Sequence, residues 1–72
     1  METKDLTIKQ IRVMKNLTQD DLANLCGVHR NTIASWETSP EKISVGNAKL
    51  IAQALDVDVN AIIFAPNYNK ML

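Results

Sequence analysis

The chain has 72 residues, 46% of them hydrophobic but only 4% aromatic, a size and balance that suit one small apolar core and exclude a multidomain chain. Two glycines and two prolines argue against a disordered or loop-dominated chain, and a lone cysteine, Cys26, excludes an intramolecular disulfide or a cysteine-based metal site. Eight basic residues balance eight acidic ones, so the chain lacks the basic excess that usually accompanies binding to polyanions.

The predicted elements, in chain order, are five helices. Thr7 caps the first, Gln10 completes a capping-box pattern, and Ile8, Ile11 and Met14 or Lys15 come after at helical spacing. This helix is expected to end near Asn16, with Leu17 turned into the core. Thr18 then caps a second helix running to Cys26. Asp21 sits in its third position, Leu22, Ala23 and Leu25 form an apolar stripe, and Gly27 suits the left-handed residue that ends a helix. A third helix starts almost at once, with His29 at an N-cap position more often held by Ser or Thr. The segment from Thr38 to Ile43 is a turn, because Pro40 disfavours helical backbone in Ser39 before it. Ser44 caps a fourth helix from Val45 to Leu55 whose buried stripe is Ala48, Ile51, Ala52 and Leu55. Asp58 caps a short fifth helix through Ile63. The helical domain spans 1–64, and 65–72 is a short irregular tail. No apolar run reaches the ~20 residues of a membrane span and no signal-peptide pattern opens the chain, so the expected location is cytoplasmic, without a membrane.

Within the third helix, Ile33 and Trp36 lie three apart and share one buried face. Arg30, Asn31, Thr32 and Ser35 are left on the other, and these side-chain types read base edges in a major groove. Gln19, Ala23, Gly27, Ile33 and Trp36 fall where the helix-turn-helix of the phage-repressor family (lambda-repressor-like, Xre-type) has its characteristic residues. Arg12, the Thr18-Gln19 start, the Trp36-Glu37 end and the later stretch LIAQALDVDVNAIIF also resemble that family, over Leu6 to Phe64. The resemblance implies an all-α, compact five-helix lambda-repressor-like domain that binds double-stranded DNA, as a transcriptional regulator of the repressor type or a phage or prophage switch component. It also implies which residues face DNA: Gln19 on the second helix, and His29, Arg30, Asn31, Thr32 and Ser35 at or on the third.

The chemistry of these residues is consistent with that role. Arg30 can donate two bonds to guanine and Asn31 can pair bidentately with adenine, while Thr32 and Ser35 suit phosphate, a base edge or a thymine methyl. The amides of Thr18 and Gln19 lie at a helix N-terminus, a natural phosphate site, and Lys42 and Lys15 can reach the flanking backbone. The family commonly pairs the positions of Arg12 and Glu37, which implies a partly buried salt bridge with a structural role. Trp36 and Cys26 are read as core. His29 has no His or Cys partner for a metal, and Cys26 with His29 lacks the third group a nucleophile-base pair needs, so no metal, no cofactor and no enzyme activity are expected.

Ile62, Ile63, Phe64, Tyr68 and Met71 make the end of the chain more apolar than a solvated tail needs. They either close the monomer's own core or form an interface, and the family often joins its subunits near this region, which implies a homodimer. The rival reading is a helix-turn-helix-fold modulator or antirepressor that acts by binding a partner repressor protein. Neutral charge favours it.

Overall fold

The computed structural model describes residues 6–64. The local rules hold at each helix start. Thr7 accepts from the Gln10 amide while the Gln10 side chain accepts from the Thr7 amide, and together they open α1, Ile8–Met14. Thr18 and Asp21 make the same reciprocal pair ahead of α2, Gln19–Cys26. His29 Nδ1 accepts from the Asn31 amide at 3.0 Å and opens α3, Arg30–Thr38. Ser44 caps α4, Val45–Leu55, by accepting from Asn47. Each cap satisfies an amide that the helix itself cannot.

Three helix ends share one geometry. Asn16, Gly27 and Asp56 take left-handed backbone, with φ of 59°, 70° and 57°. The next residue in each case, Leu17, Val28 or Val57, then donates its amide to the carbonyl five positions back, at 3.0–3.1 Å. These three apolar residues also pack partly buried against the core, so one turn both ends the helix and adds a contact.

The helices close around a core of Ile8 and Ile11, Leu22, Ala23 and Cys26, Ile33, and the α4 stripe Ala48, Ile51, Ala52 and Leu55, all buried. α2 packs against both α3 and α4. Two stripes differ from expectation. Met14 and Lys15 are exposed, because the buried arc of α1 is Ile8, Ile11 and Arg12. Leu25 is 56% exposed, since Leu22, Ala23 and Cys26 define the inward arc of α2 and Leu25 falls on its flank. Trp36 is half-buried and packs against the core edge.

The expected five-helix count is corrected to four α-helices among the described residues. Pro40–Lys42 forms a 3-10 turn within the predicted connection. Asp58 does act as a cap, accepting from Asn60, but the element it opens is a single 3-10 turn, Val59–Ala61. Beyond it Ile62 is extended and forms a parallel bridge with Leu6, and the Ile63 amide donates to the Leu6 carbonyl at 2.9 Å. The reason lies in the pattern Ile62-Ile63-Phe64, in which Ile62 and Phe64 are buried and Ile63 is 40% exposed. In-out-in alternation has the period of a strand, which a helix cannot bury on one face.

Candidate nucleic-acid interface

The free face of α3 is polar by residue choice and is aimed by the core. Ile33 is fully buried, which fixes the rotation of the helix. Arg30, Asn31 and Ser35 are then exposed and Thr32 is half-buried. His29, exposed at the head of the same helix, accepts from the Asn31 amide with Nδ1, which leaves Nε2 outside that cap. Lys42 is exposed on the 3-10 turn after α3, and Lys15 is exposed at the end of α1.

A polar clamp holds this helix from behind. Arg12 Nε donates to Glu37 Oε2 at 2.6 Å and Nη2 donates to Oε1 at 3.3 Å. Arg12 Nη1 donates to the Leu17 carbonyl at 2.7 Å. Gln19 Nε2 donates to Glu37 Oε1 at 3.1 Å. The side chains of Arg12 and Glu37 are only 10% and 6% exposed. The clamp therefore ties α1, the start of α2 and the last turn of α3 together, with all three arginine nitrogens and both carboxylate oxygens engaged. Satisfied donors and acceptors are the condition under which a buried ion pair is tolerated.

Two features of this clamp are not legible in the sequence. The Leu17 carbonyl is a backbone acceptor that no residue type announces. Gln19, expected at the DNA, is half-buried and turned toward Glu37, although its side-chain oxygen is not used in that bond. Arg12 is drawn away from any phosphate. Arg30 is left as the chain's other arginine, and its Nε lies 3.9 Å from Asp20 Oδ1.

The α2 N-terminus is less open to anions than its position suggests. The Thr18 amide already donates to Asp21 Oδ2, and the Asp21 amide to the Thr18 hydroxyl. The bond from the Thr18 amide, reinforced by the Thr18 hydroxyl, holds the Asp21 carboxyl below the usual aspartate range. Asp20 and Asp21 thus put negative charge where a phosphate would sit, so the amides there serve the helix first.

Cys26 is buried, and burial pushes its thiol up, away from the reactive thiolate. Among the described residues, no three of His, Cys, Asp and Glu form a group that could hold a metal, and no helix is long and apolar enough to cross a membrane. Of the candidate interface residues, Ile62 and Phe64 are spent on the monomer's own core, leaving Ile63 as the described member with surface to offer. Tyr68 and Met71, with the tail from 65 to 72, lie outside the described residues.

Comparison with known proteins agrees with this architecture. The family described as helix-turn-helix matches residues 8–62. The chain is similar to the control protein C.SmaI of Serratia marcescens, 29% identical over 62 residues that cover 82% of this chain and 74% of that protein. No solved structure gives a significant match.

Proposed function

The chain belongs to the helix-turn-helix family, and on that premise we propose that it is a small transcriptional repressor that reads double-stranded DNA with α3 in the major groove. The observation that carries this reading is the division of α3 into a buried anchor, Ile33, and an outward face of Arg30, Asn31 and Ser35. Arg30 and Asn31 are the base readers. His29 Nε2, Thr32 and Ser35 add donors along the groove. Lys42 contacts the flanking backbone, and Thr18 and Gln19 do so only once the Thr18 amide loosens from Asp21 and the Gln19 side-chain amide from Glu37. The designation of the Serratia relative as a control protein fits such a regulatory role.

The active species is a homodimer whose two α3 helices read half-sites ~34 Å apart on one DNA face. Neutral charge makes this assembly useful, since one subunit offers few cations: Arg12 is clamped and Arg30 lies near Asp20. The same charge balance supports a second reading, in which the fold works by binding a partner repressor as a phage or prophage modulator. Either way the site of action is the cytoplasm.

A salt titration of binding to random and selected duplexes separates the two. A DNA reader loses affinity steeply with salt, with a log-log slope of about −0.9 for each phosphate neutralised. Absence of binding to any duplex at low salt ends the DNA reading and leaves the partner-protein reading standing.

A further inference from the structure

We propose that Asp20 is a positioning residue that aims Arg30 at a guanine and keeps it from phosphate. The proposal rests on the DNA-binding reading above. Asp20 lies in the first turn of α2 and Arg30 is the first residue of α3, so their approach spans the hinge of the motif. Asp20 Oδ1 and Arg30 Nε are 3.9 Å apart, and both side chains are largely exposed, at 69% and 61%.

The edge of the guanidinium that lies nearest the carboxylate decides the consequence. Asp20 faces the Nε side, so the fork of two terminal nitrogens is the part left to meet a ligand. That fork matches the paired acceptors O6 and N7 of guanine. The carboxylate does a second thing. It repels phosphate oxygens, so an arginine beside it is a poorer partner for the DNA backbone and a relatively better one for a neutral base.

This matters because arginine is scarce here. The chain has two, and the clamp with Glu37 and Leu17 consumes Arg12. An unaccompanied Arg30 would be drawn to whichever phosphate lay nearest. Asp20 trades total affinity for discrimination.

The test uses the full chain and a duplex selected by it from a randomised pool, with each selected guanine replaced by adenine in turn. Arg30→Ala first identifies the guanine, as the position whose preference it abolishes. Asp20→Asn is then expected to bind random duplex more tightly than the parent while losing about two- to fivefold of the guanine-over-adenine preference there, the size of one exposed ion pair's coupling. Asp20→Glu retains the preference. Equal tightening on both duplexes by Asp20→Asn overturns the role of Asp20. So does an Arg30→Ala variant that keeps every preference. If the parent chain selects no sequence and binds no duplex at ~50 mM salt, the DNA reading itself fails and the proposal falls with it.

Discussion

At the scale of single residues, the contrast between Arg12 and Arg30 is a contrast of surroundings. Arg12 is enclosed, with its guanidinium divided between Glu37 and the Leu17 carbonyl. Arg30 is exposed and faces one carboxylate at the limit of an ion pair. Burial sets the stakes. Arg12→Ala leaves Glu37 enclosed with only Gln19 to serve it, and is expected to cost ~3–5 kcal/mol in urea unfolding. Replacing Arg12 and Glu37 together by Met and Leu should recover most of that loss, because no charge is then stranded. His29 has two roles that a pair of substitutions separates. His29→Ala should lower stability by ~0.5–2 kcal/mol, the value of an N-cap, whereas His29→Ser keeps the cap. A Ser variant that is fully stable but weaker on DNA assigns Nε2 to the groove; one that binds unchanged limits His29 to capping.

At the scale of elements, the helices are short, 7–11 residues, and so depend on their ends. Gly27 tests this most cleanly. A Cβ built there meets nothing within 4 Å, so the constraint is the positive φ and not crowding. Gly27→Ala is expected to cost ~1–2 kcal/mol in thermal or urea unfolding, from left-handed backbone alone. A neutral result would mean the turn between α2 and α3 relaxes. The cap of α2 predicts a pH dependence. The Asp21 carboxyl is held below its ordinary range by the Thr18 amide and hydroxyl, so its contribution is complete above the unfolded value of about 4 and is lost as pH falls through the lower folded value. Asp21→Asn can still accept from the Thr18 amide but does not titrate. The stability gap between parent and Asp21→Asn should therefore narrow on acidification; a gap that widens would contradict the assignment.

Helix starts and stops are legible because their chemistry is local. A cap and its amide are two or three residues apart, and the pattern Thr-x-x-Gln or Thr-x-x-Asp states both partners. The segment after Asp58 reads as a helix for an equally local reason: the cap signal is real, but it opens only one 3-10 turn. The alternation at Ile62, Ile63 and Phe64 is present in the sequence as a strand signal. Its weight depends on Leu6, 56 positions earlier, being there to pair with Ile62.

At the scale of the whole molecule, that pairing joins the first and last described segments and seats Phe64 in the core. Phe64→Ala should therefore destabilise the monomer by ~3–5 kcal/mol, as a core deletion rather than an interface change. Ile63→Asp is the better probe of self-association, since this side chain is exposed and charge there leaves the core intact. If the parent sediments as the proposed dimer, a folded Ile63→Asp monomer places Ile63 in the contact and a folded dimer moves the contact elsewhere; a monomeric parent ends the dimer proposal. The sequence by itself determined the four helices, their caps, the hinge at Gly27 and the inward faces of α3 and α4, because these depend on side chains within a turn of one another. Tertiary structure decided which polar residues remain available for function. Arg12 meets Glu37 across 25 positions and Gln19 meets it across 18, so folding draws both into the clamp and leaves the exposed face of α3, with Arg30 beside Asp20, as the polar surface on which the proposed DNA reading rests.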